Sequence, residues 1–209
     1  MNLPLVLGIT GASGAVYARR LLQVLVTSGY EVHLVISPSG AIVFEQELGR
    51  KLDSNAFDPA AFGLPIEHDW PANFGRVRFH DIRDFMAPIA SGSFMTGGMV
   101  ICPCSGTTLS AVVHAGGENL IHRAAEVHLK ERRKLILVPR ETPLSLPQLT
   151  NMKLAFEAGA VVLPAAPGWY HSVNSVQDLV DFIVARILDQ LAIPHTLMKR
   201  WGTSERPNS

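Results

Sequence analysis

The sequence predicts an α/β fold, a three-layer doubly wound parallel sheet, and three observations carry that prediction. Short apolar runs alternate with segments of helical period along the whole chain. The runs are apolar throughout rather than alternating, as strands covered on both faces must be. A glycine-rich turn stands where the first such run meets the first helical segment.

Each element has its own local reason. Leu3–Ile9 reads as the first strand; no Lys or Arg precedes it, so it lacks the positive n-region of a signal peptide. Ala15–Ser28 is a helix with Leu21, Leu22 and Leu25 on one face, stopped by Gly29. Glu31–Ser37 is a second strand and Gly40–Leu48 a second helix. From Gly49 to Ser93 the pattern weakens, broken by Pro59, Pro65, Pro71 and Pro88. Met99–Cys102 is a buried strand followed by a helix over Ser105–His114. Leu120–Arg132 is a helix whose end carries Lys130, Arg132 and Arg133, as a helix C-terminus favours. Leu135–Val138 is a strand, Leu146–Ala158 a helix and Ala160–Leu163 a strand. Asn174 or Ser175 caps the last helix, and Ser175-Val176-Gln177-Asp178 has the form of a capping box. Val176, Leu179, Val180, Ile183, Ile187 and Leu188 form the stripe that follows. One domain over residues 1–202 is expected, with 203–209 a disordered tail.

Composition narrows the function. The chain has 209 residues, of which 17% are charged, against about 25% in an average soluble domain. Such a deficit points to surface hidden in an oligomer. Eighteen basic and eighteen acidic residues give no net field to attract nucleic acid. No apolar run reaches the roughly 18 residues of a membrane span. Cys102 and Cys104 flank Pro103, a spacing without a second ligand pair for zinc, so they read as reduced thiols of a cytoplasmic protein. One intervening residue would point both to the same side of an extended segment.

Two turns carry the first chemical signal. In Gly8-Ile9-Thr10-Gly11-Ala12-Ser13-Gly14 the glycines let backbone approach a phosphate, and the following helix offers free N–H groups and a positive end. A nicotinamide enzyme would need an acid after the second strand, where Ser37-Pro38-Ser39 stands. No Tyr-x-x-x-Lys follows either: Tyr17, Tyr30 and Tyr170 are followed at that spacing by Leu21, Leu34 and Asn174. A mononucleotide fits better. The second turn, Pro103-Cys104-Ser105-Gly106-Thr107-Thr108, again joins a strand to a helix, and together the two make a cradle for one polar ligand.

Cations are the second signal. Arg140 and Glu141 follow a strand, so they should lie at its carboxyl edge. Arg123 and Lys130 share a helix face, although Glu126 could simply pair with Lys130 as a surface bridge. Arg186 lies three residues after Ile183 and seven after Leu179, near the packed face, where an unpaired charge is unfavourable. Tyr170 could bring a phenol to the same edge. An anion is the economical partner for these groups. The chain has no Asp-Asp-x-x-Asp motif, and its histidines show no metal spacing, so no metal is expected.

Together these residues resemble the UbiX-type flavin prenyltransferases, formerly described as aromatic-acid decarboxylases. The resemblance runs from Thr10-Gly11-Ala12-Ser13-Gly14 to Arg200-Trp201-Gly202, through Ala90-Ser91-Gly92-Ser93, Pro103-Cys104-Ser105, Asn119–Ala125, Leu129–Arg133, Arg140-Glu141-Thr142-Pro143 and Pro164–Pro167. It implies a Rossmann-like or flavodoxin-like flavoprotein and a homododecamer with sites between subunits. The implied activity joins the dimethylallyl group of dimethylallyl monophosphate to N5 and C6 of reduced FMN, without a metal. The product, prenylated FMN, would serve a partner UbiD-type decarboxylase, as in ubiquinone biosynthesis. By motif, Gly11, Ala12, Ser13, Ser37, Ser105, Gly106, Thr107, Thr108 and Arg140 would hold FMN. Lys130, Arg140, Tyr170 and Arg186 would hold the prenyl phosphate, with Trp201 closing the pocket. Ser13, Lys130 and Glu141 would act in catalysis, and either Glu141 or the retained phosphate would accept the C6 proton. The alternatives are a flavin-dependent cysteine decarboxylase-like enzyme and a non-catalytic FMN-binding or delivery protein.

Overall fold

The computed structural model describes residues 2–53, 56–169 and 173–198. In order, its elements are β1 (Leu5–Ile9), α1 (Ala15–Thr27), β2 (Val32–Ile36), α2 (Pro38–Leu48), β3 (Val77–His80), β4 (Gly98–Cys104), α3 (Gly106–Val113), α4 (Leu120–Lys130), β5 (Leu135–Pro139), α5 (Leu146–Glu157), β6 (Val161–Val162) and α6 (Val176–Gln190). The strands form one six-stranded sheet in the order β3-β2-β1-β4-β5-β6, with every pairing parallel. Helices α1, α2 and α6 pack on one face and α3, α4 and α5 on the other, which makes three layers. The chain order reverses between β1 and β4, and a doubly wound sheet opens a crevice beyond the carboxyl ends of two such strands.

Except for β3, the sequence pattern placed these elements to within a few residues, and the caps explain the boundaries. The Ser37 side chain accepts from the Gly40 N–H and opens α2, while Ser105 accepts from the Thr108 N–H and opens α3. Ser175 and Asp178 form the expected capping box of α6, a reciprocal pair that fixes its first turn. Strand β3 was not foreseen. Its sequence Val-Arg-Phe-His alternates polar and apolar, and it lies at the sheet edge within the segment where the period weakened. Much of that segment is short 3-10 turns at Pro59–Phe62, Glu67–Asp69 and Pro88–Ala90.

Cys102 and Cys104 do not share a side. Cys102 packs among the residues under α1 and α6, whereas Cys104 packs under α3 and α4. The reason is a shift of register against β5 between Ile101 and Cys104, which turns the strand over. Both thiols are fully buried and unpaired. Burial pushes the Cys104 thiol up to about 12, and burial, together with the neighbouring Cys104, pushes Cys102 up as well, so neither supplies a thiolate at neutral pH. Among the described residues no helix is long and apolar enough to cross a membrane. The expected tail over 203–209 lies outside the described residues.

Candidate active site

The two glycine-rich turns meet at the β1–β4 crest through one buried hydroxyl. Thr10 Oγ1 donates to the Pro103 carbonyl at 2.8 Å and accepts from the Ser105 N–H at 2.8 Å. Thr10 thereby ties the turn that carries Gly11, Ala12 and Ser13 to the one that carries Ser105, Gly106, Thr107 and Thr108. Ser37 joins them from the end of β2, its hydroxyl 3.2 Å from that of Ser39. Gly11 lies so close to α2 that an added Cβ would sit 2.6 Å from both Ser39 Cβ and Ser39 Oγ. The hydroxyls divide by role. Ser105 Oγ donates to Thr108 Oγ1 at 3.0 Å and both serve the α3 cap, whereas Thr107 is exposed at the crest.

Arg140 reaches the same crest from β5. Its Nε donates to the Ser13 carbonyl at 3.3 Å, across the intervening β4. Beside it stands Glu47 of α2, which sequence reasoning missed. Glu47 accepts from the Gly14 N–H at 3.0 Å and the Ala15 N–H at 2.8 Å, so the N–H groups expected to be free for a phosphate are already occupied. Burial raises the Glu47 pKa, but hydrogen bonds from Ser13, Gly14 and Ala15, with the nearby Arg140 charge, outweigh it and hold the carboxyl below its ordinary value. No local pattern announces Glu47, because the contact joins residues 33 positions apart.

Glu141 is exposed and opens a cleft of about 790 Å³ between α3 and α5, which Ser105, Gly106, Thr107, Gln148 and Asn151 also line. Gln148 was likewise missed, although Ser145-Leu146-Pro147-Gln148 carries the capping-box spacing that could have found it. Two serine-capped helix ends, the exposed Thr107 hydroxyl and the Arg140 guanidinium at one crest suit an anionic, hydrogen-bonding mononucleotide such as FMN.

Lys130 and Arg186 do not join this crest within one chain. Lys130 ends α4 just before β5, and the Met99 N–H donates to the Lys134 carbonyl, which places that turn at the amino edge of the sheet. There Lys130 pairs with Glu131. Glu126 pairs instead with Arg123 at 2.9 Å, so the expected Glu126–Lys130 bridge is not formed. An added Cβ at Gly92, within the Ala90–Ser93 motif, would lie 2.8 Å from Lys130 Nζ. Arg133 braces the same loop by donating to the carbonyls of Gly92 and Phe94.

Arg186 lies toward the end of α6 on the opposite face of the sheet from α4, with Leu191 packed against Gly98 at the start of β4. It is not on the packed face: its side chain is 46% exposed and pairs with Asp189 at 2.8 Å. Tyr170 and Trp201 lie outside the described residues. Among the described residues no group of three or more His, Cys, Asp or Glu is placed to hold a metal.

The Flavoprotein family model matches residues 1–188 of this chain. The flavin prenyltransferase UbiX of Pseudomonas aeruginosa is 50% identical over 196 residues, covering 94% of this chain and 92% of the relative. The chain belongs to the UbiX flavin prenyltransferase family. The UbiX of Escherichia coli K12 is 44% identical over 200 residues, covering 94% of this chain and 97% of its own. Among solved structures, AnUbiX (PadA1) in complex with FMN and dimethylallyl pyrophosphate superposes with a TM-score of 0.83 at 36% identity, covering 98% of this chain and 100% of that one. A dodecameric FMN-dependent UbiX-like decarboxylase from Escherichia coli O157:H7 gives a TM-score of 0.81 at 36% identity over 95% of this chain and 99% of that one. The cysteine decarboxylase TvaF, at 14% identity and a TM-score of 0.57, shares the fold alone.

Proposed function

We propose that this UbiX family member prenylates reduced FMN with dimethylallyl monophosphate, at sites completed between subunits of a homododecamer. The carrying observation is the crest itself, where Thr10 ties the two turns together and Arg140 and Glu47 meet at Ser13. A cradle for a flavin needs only the turns. Arg140 at the crest, and Lys130 and Arg186 elsewhere on the same chain, argue for a transferred phosphate ester rather than flavin binding alone.

Gly11, Ala12, Ser13, Ser37, Ser105–Thr108 and Arg140 hold the flavin in this reading. When bound, the reduced flavin supplies the nucleophilic nitrogen and the ring carbon to which the prenyl group is joined. Lys130 and Arg186 reach the prenyl phosphate from neighbouring subunits, because they lie away from their own chain's crest, and Tyr170 binds it with them. With Arg140 they stabilise the charge that the phosphate carries away as its bond to the prenyl carbon breaks. Trp201 covers the pocket, and excluding water protects the electron-poor allyl group. Glu141 accepts the proton released at ring closure. Product passes to a UbiD-type decarboxylase in the cytoplasm, as ubiquinone biosynthesis would require.

Anaerobic incubation of the protein with reduced FMN and dimethylallyl monophosphate, followed by mass measurement of the extracted flavin, tests this. A gain of one C5H8 unit is expected. Unmodified flavin would overturn the proposal.

A further inference from the structure

Glu141 has a partner whose orientation the structure fixes. Gln148 Nε2 donates to Glu141 Oε2 at 3.0 Å. The other end of the same amide, Oε1, accepts from the Ser145 N–H at 2.9 Å and from the Ser145 hydroxyl at 3.0 Å. A backbone N–H can only donate, so the amide oxygen must face Ser145 and the amide nitrogen must face Glu141.

The surroundings enforce this arrangement. Ser145 and Gln148 are the N-cap and N3 residues of α5, joined as a capping box, so the Gln148 side chain is locked by the start of its own helix. On its other side the amide packs against the α3 turn: an added Cβ at Gly106 would lie only 3.2 Å from Gln148 Nε2. The amide is thus held between a flavin-cradle glycine and the proposed proton acceptor. A capping box does not require its N3 side chain to reach a further, acidic group, and here it does.

We propose that Gln148 is a positioning residue for the ring-closing proton transfer. It pins Glu141 through Oε2 and leaves Oε1 to take the proton, while the electron pair of the broken C–H bond stays with the flavin ring. This rests on Glu141 as the proton acceptor proposed above.

Gln148→Glu separates this role from a structural one, because Glu at N3 also completes a capping box yet turns a carboxylate toward Glu141. Gln148→Met, uncharged and of similar length, removes the donor in a second way. Rapid-mixing absorbance should resolve bond formation at N5 from ring closure. Both variants are expected to slow ring closure by about tenfold or more, with flavin affinity and the N5 phase close to wild type. The melting temperature should hold for Gln148→Glu, whereas Gln148→Met, which also loses the acceptor of the Ser145 N–H, should melt lower. In a double-mutant cycle, Glu141→Gln with Gln148→Met should be no slower than Glu141→Gln alone, since the two groups act as one unit. If Glu141→Gln slows ring closure but the Gln148 variants do not, or if their effects multiply, the positioning role is overturned while Glu141 stands. If Glu141→Gln closes the ring at the wild-type rate, Glu141 is not the acceptor and the inference falls with it.

Discussion

Glu47 accepts the Ala15 N–H at 2.8 Å, so a carboxylate carried on α2 fills the N-terminus of α1. The contact ties α2 to the start of α1, two helices that flank the crest. The ends of α2 and α3, by contrast, are capped by neutral serines.

Replacing Glu47 with Ala is expected to lower stability by about 1 kcal/mol, the usual loss for an N-terminal cap. Because hydrogen bonding holds the Glu47 pKa down, its contribution is present above the ordinary glutamate value of about 4.3 and is lost as pH falls through the lowered folded value. Urea titrations at neutral pH and at progressively lower pH check this: the gap between wild type and Glu47→Ala should close on acidification.

Gly11→Ala places a methyl group 2.6 Å from Ser39 Cβ and must displace the start of α2 or the loop itself. Overpacking of this kind is destabilising by about 1–3 kcal/mol. The expected outcome is a lower melting temperature with flavin retention reduced at least as strongly, read by fluorescence titration with FMN.

Lys130→Ala removes a surface cation whose pairing is with Glu131. Exposed ion pairs contribute about 0–1 kcal/mol, so stability and flavin binding should be near wild type. The KM for dimethylallyl monophosphate should rise sharply in steady-state assays. Normal turnover at low prenyl phosphate would remove Lys130 from the phosphate site.

Leu146 and Phe156 on α5 are 76% and 73% exposed in the single chain, and the proposed assembly is expected to cover them. Leu146→Asp with Phe156→Asp should give smaller particles by sedimentation velocity, and should lower activity in step with the loss of assembly.

Legibility in the sequence followed locality. Helices, caps and both glycine-rich turns depend on neighbours a few residues away, and the reading of Ser175 as the cap of the last helix matched the structure. Ser37 and Ser105, read as flavin contacts, prove also to cap α2 and α3. Glu47 was not legible, because only the tertiary fold brings α2 to the start of α1. Arg186 shows a different failure. It was placed by its spacing from Ile183 and Leu179. Ile183 is fully buried, but Leu179 at the rim of the α6 stripe is only partly so, and Arg186 falls on that rim rather than on the packed face. The thiol pair was misplaced because alternation assumes a regular strand, and β4 slips register between Ile101 and Cys104.

Lys130 at the amino edge of the sheet and Glu141 at its carboxyl edge carry a genetic consequence. On the proposed assignment, one polypeptide owns halves of two different catalytic centres and the whole of neither. Two defective alleles, one lacking the Lys130 ammonium and one lacking the Glu141 carboxylate, would therefore complement when assembled together. Each would lend a neighbour the half it still possesses, and some centres in the mixed particle would contain both groups intact.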